Sequence, residues 1–412
     1  MTEEPVRKLS TACCIVGGGP AGMMLSLLLA RAGVPVIVLE KHADFLRDFR
    51  GDTVHPSTLQ ILDEIGLLTK FEQLPQRKVD HLGGIVGGRE QQLVDFRGLK
   101  PFPYLALVPQ WDFIELLAAA GRRYPQFDLR MRHEALGLIE EAERIIGVRV
   151  RTPDGALAIH ANLVIACDGR HSTLRDAAGL HAQNYGAPMD VMWFRIPRKD
   201  SDPQDTFGII DGGHMMVLLN RSDYWQAAYL VPKGGDQTLR AEPIAKLQDS
   251  IAQLAAFLAD RTATLTSWDQ VKTLEVRVDR LERWYRPGLL LIGDAAHAMS
   301  PIGGVGINLA IQDAVAAANA LSPALLGGYP VDEAPLRAVQ RRRLMPTKWT
   351  QALQLQIQRR VISPALSQSG GSPRVPALLV WLLRYRVVRN IPARIFGYGF
   401  RRERVKLPAA KI

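Results

Sequence analysis

Gly17, Gly19 and Gly22 have the spacing with which a chain turns beneath a pyrophosphate, and Glu40 follows at the distance of a ribose ligand. The glycines close the run Cys13-Cys14-Ile15-Val16-Gly17-Gly18-Gly19-Pro20-Ala21-Gly22. A short β-branched strand delivers the chain into the turn. Gly17 and Gly19 can take backbone angles closed to other residues, and Gly22 lets helix and strand pack closely. Pro20 and Ala21 then open an apolar helix, whose unpaired N–H groups and positive dipole end favour an anion. Glu40, followed by Lys41, ends the second strand, and its carboxylate can accept hydrogen bonds from a ribose 2′-OH. An acid there repels a 2′-phosphate, so FAD or NAD suits this site better than NADP.

Two further elements repeat the logic of a strand running into a turn. Ala161 to Cys167 is a buried-type strand that meets Asp168-Gly169, followed by a helix start with Ser172 and Arg175. Leu289 to Ile292 runs into Gly293-Asp294-Ala295-Ala296-His297, and Pro301-Ile302-Gly303-Gly304-Val305-Gly306-Ile307-Asn308 leads into another helix. Asp294 at a strand's carboxyl end can accept hydrogen bonds from polyol hydroxyls, while the glycines allow backbone to approach a planar ring. The helix expected from about Asn308 to Leu321, closed by Ser322-Pro323, aims its positive end at that ring.

With all three motifs present in order, the chain resembles the single-component FAD-dependent monooxygenases built like para-hydroxybenzoate hydroxylase. The resemblance extends to about residue 350. It implies an α/β fold: an FAD-binding Rossmann-like domain of the glutathione reductase type, an inserted antiparallel-sheet substrate domain, and C-terminal helices. It also implies a reaction, in which NADPH or NADH reduces FAD and a flavin C4a-hydroperoxide hydroxylates an aromatic or enolic small molecule. On the same grounds Arg50, Gln110, Asp168, Asp294, Gly306, Ile307 and Asn308 are expected beside the cofactor, with Pro301 bordering the oxygen site. Met216, Leu218, Trp193 and Trp225 suggest a lipophilic, fused-ring substrate, although strand neighbours face opposite sides. Arg221 or His55 could anchor or deprotonate a phenol. The competing reading is a flavin oxidase or reductase acting on quinone or isoprenoid substrates at a membrane surface.

Strands and helices alternate through the first eighty residues, as expected for βαβ units. Strand-type alternation without helical period marks His81 to Lys100 and Asp190 to Pro232. The FAD domain is therefore expected to be discontinuous (1–80, 105–180 and 276–350), with the substrate domain at 81–104 and 181–275 and a helical, basic segment at 351–412. Glu242 to Asp260 reads as an amphipathic helix covering the sheet.

The 412 residues suffice for two connected domains, and the composition is that of a soluble globular protein. No signal peptide is legible, so the cytoplasm is the expected compartment. Cys13, Cys14 and Cys167 have neither disulfide nor metal-ligand spacing, and no metal is expected. From Ile357 onward stand twelve Lys or Arg against one acid, Glu403, a net +11 in a chain of net +10. This tail could meet an anionic membrane surface or pack on the domain interface. No nucleic-acid motif accompanies its charge. The oligomeric state is open.

Overall fold

A computed structural model of the chain describes residues 7–46, 53–86, 89–367 and 386–408. The strand Arg7–Val16 lies between two parallel neighbours, Val36–Glu40 and Gly155–Ala166. Phe127–Met131 extends the sheet on one side and Leu289–Leu291 on the other, again in parallel. Its central strands are covered on both faces, which is why Cys13 to Val16 and Leu163 to Ala166 are unbroken apolar runs. The helix Pro20–Arg31 is buried along nearly its whole length and packs against helices Val305–Leu326 and Gln110–Gly121.

Parallel strands put all their carboxyl ends on one edge, where open α/β sheets bind ligands. Three hydrogen bonds stitch that edge together: Gly17 N to Leu39 O (2.8 Å), Cys167 N to Val16 O (2.7 Å) and Ile292 N to Ala166 O (3.1 Å). The glycine turn, Glu40, Asp168 and the Gly293-Asp294 turn are thereby brought together. The cysteines are free, and burial pushes the thiol of Cys14 up to about 12.

The second sheet has seven strands, ordered Lys272–Leu274, Met189–Pro197, Tyr224–Pro232, His214–Asn220, Phe207–Asp211, His81–Val86, Arg89–Asp95. Neighbours are antiparallel except Phe207–Asp211 and His81–Val86, which run parallel. At that junction two distant stretches of chain meet, and no hairpin constrains their direction. One face, with Met192, Phe194, Phe207, Met216, Leu218 and Trp225, is buried against Leu247, Ile251 and Leu258. Those three belong to the helix Ala245–Leu254 and the following 3-10 turn Ala256–Thr264. On the opposite face Val191, Trp193, Met215, Val217, Ala228 and Leu230 share an apolar cluster with Ile302 of the 3-10 turn Ile302–Gly304.

Two expectations about helices change: the helix read over Glu242 to Asp260 spans only Ala245–Leu254 before the 3-10 turn, and the stop at Ser322-Pro323 does not hold. The helix after the Gly-rich turn runs from Val305 to Leu326 and passes through Pro323, with the Ser322 hydroxyl bonded to Ala318 O at 2.7 Å. Packing overrides the local stop signal, since Leu321, Ser322 and Leu325 are all buried. The segment Ile302–Leu326 is also long and apolar enough to cross a membrane, yet it is largely buried inside the protein. In the tail, the helix Arg386–Tyr398 packs beside the strand Arg89–Asp95, burying Ala393 and Tyr398 with Val94, Phe96 and Leu99, and the chain to residue 408 buries Glu403 against Arg342 and Arg343.

Candidate active site

The glycine turn leaves open the space a diphosphate needs. A Cβ on Gly17 would lie 2.4 Å from Cys167 O, and one on Gly22 would lie 2.0 Å from Gly17 O; Gly19 has nothing within 4 Å. Gly17 and Gly22 are therefore required for packing, Gly17 also by its φ of +107°, while Gly19 borders a cradle. The helix behind it starts with Pro20 and has neither a side-chain cap nor an acid in its first turn, so its positive end is left for an external anion. Glu40 accepts from Gly18 N (3.1 Å) and His42 N (3.0 Å), and its Oε1 lies 2.6 Å from His42 Nδ1. These bonds fix the carboxylate at the strand end, and Lys41 is exposed beside it.

Asp168 accepts hydrogen bonds from the Ser172 hydroxyl and from Leu174 N, so it holds its own turn in shape. Burial raises its pKa, against the pull of those bonds. Arg170 spans the motifs: one guanidinium nitrogen lies 3.3 Å from Asp294 Oδ2, and another donates to Glu275 O, just past the strand Lys272–Leu274 of the second sheet. Asp294 stays about one-third exposed on the open side of the edge.

The Pro301–Gly304 turn makes a second cradle. Gly303 and Gly304 have φ of +75° and +62°. A Cβ on Gly304 would stand 2.3 Å from Thr53 Oγ1, whereas Gly306 has open space. Asn308 clamps this turn with its whole side chain. Its Oδ1 accepts from His55 N (2.8 Å) and Thr58 Oγ1 (2.7 Å), and its Nδ2 donates to Thr53 O and Gly304 O. With the amide so committed, what Gly306, Ile307 and Asn308 offer a ligand is the backbone N–H end of the helix.

His55 is fully buried, its Nδ1–H donating to Phe396 O while Nε2 has no partner. Burial lowers its pKa to about 4, against the raising effect of the carbonyl groups of Phe396 and Gly303. Arg221 stands in a hairpin turn with its Nε on Gln226 Oε1 at 3.0 Å. Gln110 is the first residue of its helix, and Pro301 is half-buried at the start of the glycine turn. Arg50 lies outside the described residues. Of the four apolar pocket candidates, only Trp193 is on the side of Ile302. Met216, Leu218 and Trp225 are fully buried on the other face, where a helix covers them.

A buried ion network escaped the sequence reading. Asp313 accepts from Gly293 N (3.2 Å), His297 Nε2 (2.6 Å) and Arg343 Nε (2.8 Å), and Arg343 reaches Glu403 at 3.2 Å. The available signal was an aspartate inside the apolar stretch Leu309–Ala318, because a charge there must be paired. His297 thus lies beneath the Gly293-Asp294 turn, with its ring 4.8 Å from that of Trp284.

The family described as FAD binding domain matches residues 10–352. A 6-methylpretetramide 4-monooxygenase of Streptomyces rimosus is 33% identical over 98% of this chain and 96% of its own. Para-nitrophenol 4-monooxygenase of Pseudomonas sp. strain WBC-3 is 24% identical, covering 80% of this chain and 82% of that protein. The solved p-nitrophenol 4-monooxygenase of Pseudomonas putida DLL-E4 has the same fold, with a TM-score of 0.74 at 20% identity and 95% coverage of both chains. The open cradles at Gly19 and Gly306, the uncapped helix ends and the carboxylates on one sheet edge all fit FAD. Its named relatives being monooxygenases, the oxidase or reductase alternative is not favoured, and the chain belongs to the FAD-binding-domain family as an FAD-dependent aromatic monooxygenase.

Proposed function

We propose that this enzyme uses NAD(P)H and O2 to hydroxylate a flat, polycyclic aromatic or enolic compound bound between the second sheet and the Pro301–Gly304 turn. The observation that carries this reading is the apolar face of Val191, Met215, Val217, Ala228 and Leu230, which shares a cluster with Ile302. The long match to a monooxygenase named for a pretetramide substrate supports the same class.

Bound FAD supplies the two-electron and oxygen chemistry. The protein supplies position, charge and dryness. Gly17, Gly19, Pro20, Ala21 and Gly22 would cradle the diphosphate, Glu40 and Lys41 would flank the ribose, and Asp294 with Arg170 would meet the polyol chain. The N-terminus of the helix Val305–Leu326 would stabilise negative charge on the ring through Gly306, Ile307 and Asn308. Pro301, Gly303 and Gly304 would border the ring with backbone alone. The apolar face keeps water from the reacting oxygen. His55, sealed under Phe396, serves as a positioning residue for this turn, and Arg221 orders the hairpin through Gln226.

Anaerobic bleaching of the purified yellow protein by NADPH and NADH tests the reading, with and without phenols and polycyclic enols. Ligand-accelerated bleaching, followed in air by entry of one labelled oxygen atom into the ligand, is the expected result. No bleaching by either nucleotide under any condition would overturn it.

A further inference from the structure

Sheet register aligns one row of residues across the face that looks toward Ile302. Trp193 stands opposite Ala228, Ala228 opposite Val217, Val217 opposite Gly208, and Gly208 opposite Gly84. Residues paired in this way share a face. The row begins with the largest side chain and continues through some of the smallest, so the sheet is recessed beside the indole. Bulk returns one row over, with Val191, Leu230, Met215 and Ile210. A Cβ added to Gly208 would meet nothing closer than 3.8 Å. At roughly 4.8 Å per strand, the recess from Ala228 to Gly84 is about 14 Å long.

Half-buried Trp193 and fully buried Gln358, beside this face, carry buried polar atoms without a partner. The indole N–H of Trp193 is unbonded, whereas those of Trp225, Trp268 and Trp284 each donate to an oxygen. Gln358 is fully buried, and neither atom of its amide is bonded. It continues the helix face of Gln351 and Gln354, whose amides donate to Asp279 O, Ala298 O, Ser300 O and Ile302 O. It opens a single π-helical turn, a feature frequent at functional sites, between Ile357 and Ile362, which pack in the cluster of Trp193 and Ile302. An unbonded buried amide is strongly disfavoured, so each such group in a folded protein calls for an explanation.

We infer that Gln358 and Trp193 are specificity-determining residues that hydrogen-bond the oxygens of the substrate. The polycycle lies along the recess. The indole N–H donates to a ring carbonyl or phenolate oxygen, and the Gln358 amide accepts from a hydroxyl and donates to a neighbouring carbonyl. This assignment rests on the hydroxylase reading above. Gln358 lies outside residues 10–352, so it adds selectivity from beyond the part of the chain matched to the cofactor-binding family.

The test uses the FAD-loaded protein, with 1,8-dihydroxyanthraquinone and anthracene as probes. Binding is read from the difference spectrum of the bound flavin. Wild type is expected to prefer the oxygenated probe. Trp193→Phe and Gln358→Met are each expected to weaken that probe about fivefold to tenfold and to leave anthracene unchanged. Gln358→Met is also expected to keep or raise the melting temperature, since it removes an unbonded amide; a glutamine with a purely structural role would lower it. Equal weakening of both probes, variants that retain the wild-type preference, or a wild type with no preference would overturn the assignment. Phenol-accelerated bleaching measured alongside separates the outcomes: if it persists while the assignment fails, hydroxylation stands and only this recognition falls.

Discussion

Arg343 and Asp313 form an ion pair with both side chains fully buried, Nε to Oδ1 at 2.8 Å. The other oxygen of Asp313 holds the backbone of Gly293, so the Gly293-Asp294 turn hangs from this pair. Removing one partner of a buried pair leaves an uncompensated charge. Asp313→Asn should cost about 3–5 kcal/mol in denaturant unfolding. Arg343→Met should cost a similar amount, and the double variant less than the sum. Additive losses would show that the two side chains do not act as a unit.

Acid should expose the same network. Burial alone would raise the Asp313 pKa, but the charges and hydrogen bonds of His297 and Arg343 outweigh it and hold it below the ordinary carboxylate value. A carboxylate depressed in the folded state contributes stability above its unfolded pKa of about 4 and loses it as pH falls through the folded value. Unfolding free energy should therefore drop steeply below about pH 4 in the wild type, and more gently in Asp313→Asn. Parallel curves would refute this.

His55 titrates in the same direction for a different reason. Its folded pKa is about 4, because burial disfavours the imidazolium. The unfolded chain takes up this proton near pH 6.5, so the folded state loses stability as pH falls from there toward 4. The loss is on the order of 2–3 kcal/mol. His55→Gln should flatten that part of the profile, measured by chemical unfolding at each pH. An unchanged slope would mean that the buried ring does not stay neutral.

The glycine turn, Glu40 and the Gly293-Asp294 turn were legible because glycine spacing and strand ends are local signals that a parallel sheet gathers on one edge. Which face of the second sheet looks toward Ile302 was not. Alternation separates Trp193 and Met215 from Met216 and Leu218, yet it does not say which set a helix will cover. That is decided by Leu247 and Ile251 of the helix Ala245–Leu254, which follows the strand Tyr224–Pro232 and packs on one face alone. The Asp313–Arg343 pairing was hidden likewise, since its partners lie on different helices. The Ser322-Pro323 stop failed because the buried side chains around it outweigh one missing hydrogen bond.

Gly303 offers a test of how tightly the tail closes the proposed ring site. Its φ of +75° already disfavours a side chain, and a Cβ would lie 2.4 Å from the ring of Phe396. Gly303→Ala must therefore move either the turn or the helix that carries Phe396. Either shift admits water beside the reduced cofactor, and water diverts reducing equivalents from hydroxylation to hydrogen peroxide. Peroxide formed per NAD(P)H consumed should rise several-fold in Gly303→Ala. In Gly303→Ala with Phe396→Ala the clash is gone but the gap remains, so the ratio should stay high while the melting temperature partly recovers. A ratio at the wild-type level in both variants would show that Phe396 does not seal the site.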